Sequence, residues 1–370
     1  MAAPPREPHL REAGRKVVLL FGLTYAGYAL LYFVRKPFGV VKADLQQRHG
    51  LSTATLAGVD MAFLLAYTVS NLLVGRAEAL FGTHGTLVLA FAGSAAATAA
   101  FPCSDLPGFW MLCWAAQGTF QAWVYPLCAK LLTRELAENV RNSLWGVWVT
   151  CQHLGGMLGT LAAAELHKAF GWRSAFFAPS LGVALAGASI HLFLPGRGGR
   201  NAKKDLEADA PQGGAAEHKH GPTLSAAVQL PSIKELGASY CCIKLVRYVG
   251  VLWVPFFLGD LGFDAETAAL LSVAFDVGGV LGGTLCGVAA DALLGGRLLA
   301  VILGMCACSA LLSLAYAVWH AVLGRIGHAV ILFWLGVMVA GPDANFGGAA
   351  CMNAVDRAGG GSREAASAAS

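Results

Sequence analysis

The chain has 370 residues, of which 56% are hydrophobic and only 13% charged, where a soluble globular domain carries about 25% charged residues. That balance excludes a soluble enzyme or binding module and indicates a polytopic membrane protein. A net charge of +4, with its basic residues in loops and not in a stripe, leaves no nucleic-acid footprint.

Ten apolar runs are long enough to cross a bilayer, which takes ~20 residues at 1.5 Å each. They cover 17–41, 53–74, 85–102, 108–132, 143–166, 174–194, 236–258, 265–289, 298–319 and 329–350. Backbone polar groups cannot go unpaired in lipid, so long non-alternating runs mean helices, and the fold class is all-α. Arg6, Arg11, Arg15 and Lys16 precede a first run too long for a signal-peptide core, which therefore reads as a span. Between the sixth and seventh spans, residues 195–234 are rich in Gly, Lys, Asp and Glu and lack an apolar period. They read as a cytoplasmic linker between an N-terminal six-helix bundle, 1–194, and a C-terminal bundle of four helices, 235–370. Lys and Arg concentrate on the side of the N-terminus and linker, which places both in the cytoplasm. The opposite loops hold only Lys42, Arg48, Lys168, Arg173 and Arg325. The ten cysteines show no paired metal-ligand spacing and read as small packing residues. No metal or other cofactor is expected.

A shift of ~212 residues superimposes parts of the two halves, an internal symmetry typical of transporters. Tyr28 meets Tyr240, Val34 meets Val246 and Arg35 meets Arg247. Further on, Gly50-Leu51 meets Gly262-Phe263, Thr55 meets Thr267 and Gly75 meets Gly287. Equivalent halves would each have six spans, so two are missing from the second, and the sequence reads as incomplete at its C-terminus or as the product of a truncated gene.

The two arginines are the central candidates. A guanidinium near mid-membrane costs at least ~2.5–3.5 kcal/mol on insertion scales, and such groups face a cavity or a partner. Helical spacing puts Arg35 on one face with Tyr32 and Tyr28, and Arg247 on one face with Lys244 and Tyr240. Two such faces across a two-fold axis would suit a phosphate, whose oxygens accept paired N–H bonds. The bland alternatives are snorkelling of Arg35 and Lys36 to the headgroups and a structural ion pair of Arg247 with Asp276. His153, in the fifth span, is either a packing residue or a ligand donor sensitive to pH near neutrality. Lys130 is either a cavity cation or an interfacial anchor. Asp60 and Asp276 are intramembrane carboxylates that could pair, carry protons or gate. Asp291 and Arg297 sit at a helix–helix turn that could form a charge latch. The glycines at 278, 279, 282 and 283 suit close helix packing.

At these residues the chain resembles the organophosphate:phosphate antiporters of the major facilitator superfamily, and most closely solute carrier family 37. The resembling pieces are 28–42 (YALLYFVRKPFGVVK), 60–67 (DMAFLLAY), 146–156 (GVWVTCQHLGG), 244–258 (KLVRYVGVLWVPFFL), 275–283 (FDVGGVLGG) and Gly341-Pro342. The resemblance implies a major facilitator fold, here with ten of twelve helices, and exchange of a sugar phosphate for inorganic phosphate by alternating access. It implies phosphate binding by Arg35 and Arg247 and substrate contact by His153, and it places Lys130 where several members carry a basic residue. It also implies the endoplasmic reticulum membrane, with another endomembrane or the plastid envelope as second choices. Small phosphate esters, inorganic phosphate and the bilayer are the expected partners. The family's first-half cytoplasmic latch, a glycine followed by Asp-Arg, reads Gly75-Arg76-Ala77-Glu78-Ala79 here. The rival readings are a facilitator for another anion or a proton-coupled solute, and a truncated membrane paralogue that does not transport. An enzyme is disfavoured, since no span end carries a nucleophile–base set.

Overall fold

The computed structural model describes residues 7–136, 138–194, 233–294 and 298–345, and all regular structure among them is helical. Helix α1 runs over Glu7–Arg35 and α2 over Pro37–His49. Proline lacks the N–H that a helix interior needs and is pre-set for a helix start, so the chain breaks at Lys36 and resumes at once. The first stretch therefore extends through Gly14–His49. Arg35 lies inside it, well short of its end, where snorkelling was one expectation.

Helix α3, Thr53–Ala100, carries both the second and the third expected spans. The run is interrupted only at Gly82, whose φ of 68° and ψ of 165° suit glycine and few other residues. Then follow α4 (Pro107–Glu135), α5 (Glu138–Phe170) and α6 (Ser174–Phe193). After the linker come α7 (Ile233–Asp260), α8 (Ala265–Leu294), α9 (Leu298–Trp319) and α10 (Arg325–Asn345). Every expected span thus falls on a helix. Among the described residues, seven helical stretches are long and apolar enough to cross a membrane. The expected linker, apart from its last two residues at the start of α7, lies outside the described residues, as does everything after Asn345.

Burial is inverted relative to a water-soluble protein. Leu65, Val69 and Leu72 on α3 and Leu303, Leu311 and Leu314 on α9 are exposed, while Arg35, Lys42, Asp60, Gln121, Arg247 and Asp276 are buried. Apolar groups outside and charges inside is the arrangement that a hydrocarbon solvent selects.

The chain forms two compact units: Met1–Ala210 with Pro255–Leu270, and Pro211–Val254 with Leu271–Ser370. In the first, α1 packs against α5 at glycines. A Cβ on Gly155 would stand 2.3 Å from the Ala29 carbonyl oxygen, so only glycine permits that approach. An aromatic layer fills the centre, with Phe101 stacked on Phe176 at 4.5 Å and flanked by Trp110 and Trp114. Lys42 corrects a sequence-based expectation: it lies in α2 and not in a loop, fully buried and ion-paired with Asp60 of α3. Hydropathy alone ended the first span at 41, one residue too early to see this.

In the second unit, α8 and α10 meet through glycines on both sides. A Cβ on Gly278 would lie 2.0 Å from the Phe333 carbonyl oxygen, and one on Gly336 2.0 Å from that of Phe275. The glycine cluster is therefore a packing device, and it fixes how α10 sits along α8.

The sequence repeat has a structural imprint. Gly50 and Gly262 both adopt positive φ, 62° and 92°. Two residues on, Ser52 Oγ accepts the Thr55 N–H at 3.1 Å, and Asp264 Oδ2 accepts the Thr267 N–H at 3.0 Å. Each turn is thus a left-handed glycine followed by a side-chain N-cap.

Candidate functional site

In the first unit, Arg35 closes α1 and is 3% exposed. Its Nε and Nη2 both donate to Gln121 Oε1 of α4, at 2.9 and 2.7 Å. The guanidinium also lies over the rings of Tyr32, Phe63 and Tyr67, at 4.6, 5.3 and 5.6 Å, positions in which a π face attracts a cation. One turn earlier on α4, Gln117 Nε2 donates to the Val34 carbonyl at 2.7 Å and to Thr98 Oγ1 at 2.9 Å. Two carboxamides four residues apart thus tie the end of α1 to α4. Their spacing within an apolar span was the signal that sequence reasoning passed over.

The α1 tyrosines complete this face. Tyr32 donates to Gln152 Oε1 of α5 at 3.0 Å, beside the buried His153. Tyr28 is buried among Tyr32, Tyr125 and Trp148. Lys36 is buried at the α1–α2 break. The structure thus gathers Arg35, Tyr28 and Tyr32 with Gln121 and Gln152. Lys130 lies elsewhere, half exposed near the end of α4 and paired with Glu78 of α3 at 3.1 Å.

In the second unit, Arg247 is buried and Lys244 half-buried on α7, with the Lys244 ammonium 5.0 Å from the Tyr240 ring. A carboxylate that the sequence reading did not single out stands with them. Asp343 of α10 approaches Lys244 Nζ at 2.8 Å through Oδ1 and Arg247 Nε at 3.8 Å through Oδ2. Asp343 is thus an acid beside Arg247 that stands in addition to the Asp276 named from the sequence. Asp276 is buried on α8. The available signal was an acidic residue directly after Gly341-Pro342 in an apolar span. Asp291 lies on α8, but its side chain and Arg297 fall outside the described residues.

Outside the spans, the C-terminal end of α5 carries a further ion pair. Lys168 pairs with Glu266 at the start of α8, within the first unit, and the hydrogen bond that the ammonium donates to that carboxylate raises the ammonium pKa above its ordinary value. Next to it, burial lowers the His167 pKa despite Asp44 at 3.9 Å. Among the described residues no group of His, Cys, Asp and Glu could hold a metal ion.

These features define a multi-pass, all-helical membrane protein with buried cationic groups in each unit. Solved structures share its fold: a D-xylose–proton symporter matches with a TM-score of 0.65 at 13% identity, covering 89% of this chain and 81% of that one. A bacterial homologue of the human lysosomal transporter Spinster, inward-facing and unoccupied, matches with a TM-score of 0.61 at 16% identity, covering 96% and 79%. The family model of the Major Facilitator Superfamily matches residues 24–368, and the chain belongs to that superfamily. Its relatives bear out the resemblance to organophosphate:phosphate antiporters. Human sugar phosphate exchanger 3 is 26% identical over 339 residues, covering 75% of this chain and 67% of that protein. A protein of Arabidopsis thaliana named for glycerol-3-phosphate transport is 26% identical over 318 residues, and the match spans 62% of its length and 74% of this chain. The membrane sensor protein UhpC of Escherichia coli is 26% identical over 346 residues, covering 88% of this chain and 76% of that protein.

Proposed function

We propose that the chain is a secondary transporter that exchanges a sugar phosphate for inorganic phosphate, with Arg35 and Arg247 as its phosphate-recognising side chains. One observation carries the reading: an arginine is buried within a membrane-spanning helix at the same place in each repeat. A buried guanidinium at such depth is costly and marks a functional group. Its planar fork matches phosphate oxygens, as an ammonium does not. The relatives named for sugar phosphate exchange and glycerol-3-phosphate transport support the substrate class. Tyr28, Tyr32 and His153 in the first unit, and Tyr240 and Lys244 in the second, would shape the sites around the two forks. Lys36 would add charge next to Arg35, and Lys130 would act from the end of α4. Asp60, Asp276, Asp291 and Arg297 would serve as structural or gating charges. The endoplasmic reticulum is the membrane we assign, by analogy with the sugar phosphate exchangers.

Counterflow tests this. Labelled phosphate should enter liposomes containing the protein only when they are loaded with phosphate or a sugar phosphate. Arg247→Lys, which keeps the charge and loses the fork, should lower that uptake about 100-fold, as the loss of a charge-assisted bidentate contact implies. Uptake driven by a pH gradient alone, without internal phosphate, would replace this reading with a proton-coupled one. The sensor protein among the relatives favours a second reading, a ligand-binding membrane protein that does not transport. Stabilisation by sugar phosphates without any counterflow would select it.

A further inference from the structure

We propose that Asp343 is a resident counter-ion that holds the cationic face of α7 between substrates, so that an incoming phosphate binds there by displacing it. The inference rests on the phosphate-carrier reading and adds a residue and a charge balance to it. Lys244 and Arg247 carry two positive charges on one face of α7, and Asp343 brings one negative charge to both. These three groups together carry one net positive charge. Side-chain exposures of 37% for Lys244, 12% for Asp343 and 6% for Arg247 place the carboxylate behind the ammonium, enclosed with the guanidinium.

The geometry suits an exchangeable contact more than a permanent tie. The tight contact, 2.8 Å, is to the flexible, half-exposed lysine, whereas the arginine is held at 3.8 Å, beyond hydrogen-bond reach. A phosphate offers more acceptor oxygens than a carboxylate and can satisfy both cations at once. Asp343 also directly follows Pro342 inside α10, where proline removes a backbone hydrogen bond and loosens the helix. The glycine contacts with α8 reach from Phe333 to Ala344, so displacement of the carboxylate falls to the Asp343 side chain and not to a movement of α10. A competitor built into the site weakens binding of every anion by the work of displacing it. That keeps phosphate from being held too tightly for turnover.

The test is phosphate self-exchange by the full chain in phosphate-loaded liposomes, read as KM and maximal rate. Asp343→Asn should lower the KM for inorganic phosphate at least about 5-fold and also lower the maximal rate, since the competitor is gone and release slows. Lys244→Gln should raise KM at least about 10-fold, because it removes a binding cation while keeping the competing carboxylate. The double variant Lys244→Gln/Asp343→Asn restores one net positive charge and should return to within about 3-fold of wild type, a coupling that only interacting groups show. An unchanged KM in Asp343→Asn, or a double variant no better than Lys244→Gln alone, overturns the proposal. Asp343→Ser guards against a folding artefact of the asparagine. Loss of folded protein in both variants would assign Asp343 to the fold and also overturn it. Wild-type protein that neither exchanges phosphate nor is stabilised by it sinks the carrier reading, and this inference with it.

Discussion

The two repeats carry the same arginine and hold it by different chemistry. Arg35 gives two hydrogen bonds to the neutral amide of Gln121, with aromatic rings around it. Arg247 stands beside a carboxylate that a neighbouring lysine shares. A neutral acceptor orients the fork and leaves its charge intact, whereas an anion partly cancels that charge. Under the proposed phosphate-binding role, the Gln121 contact would orient Arg35, and the Asp343 contact would temper the charge around Arg247.

The largest expected effect concerns the other buried pair of the first half. Asp60→Asn should destabilise the protein by about 3–5 kcal/mol, the usual cost of stranding a buried charge, in this case Lys42. Thermal unfolding in detergent measures it, and an unchanged midpoint would show that the ammonium finds another anion. Gly278→Ala probes the second half and should cost about 1–3 kcal/mol by overpacking, because its Cβ would press on the Phe333 carbonyl. The shift of α10 should carry Asp343 away from Lys244, so KM should move along with stability. If stability alone changes, the α8 contact does not set the position of Asp343.

The smallest effect sharpens the contrast most. Gln121→Leu should raise the KM for phosphate about 10-fold, or about 1.4 kcal/mol, near the lower end of what a hydrogen bond to a charged group contributes. Removing the neutral partner of Arg35 thus weakens binding, and removing the charged partner of Arg247 strengthens it. Steady-state self-exchange of the two variants, side by side, reads the two signs. Equal signs would mean that both arginines are simply held in place.

Much of this was legible in the residue pattern. Apolar runs locate every span, because lipid forces all backbone polar groups into helices. The two arginines stand out because an ion amid leucines and valines has few structural excuses. What stayed hidden depends on tertiary placement. Asp343 sits almost a hundred residues from Arg247 in sequence, and the packing of α10 against α8 and α9 decides where it lies. Gln117 and Gln121 were invisible for another reason: a hydropathy scan counts carboxamides as mild penalties and not as tethers. Lys42 was misplaced because a charge after twenty-odd apolar residues looks like the end of a span, while the chain continues helically through α2.

The paired turns at Gly50 and Gly262 bear on how such a chain is assembled. Ser52 and Asp264 perform one backbone task with a hydroxyl and a carboxylate, so the kink's shape, and not its chemistry, is common to both copies. A duplicated module can thus keep its joints and exchange its charges, and functional asymmetry can grow inside an architecture whose mechanical symmetry is left undisturbed.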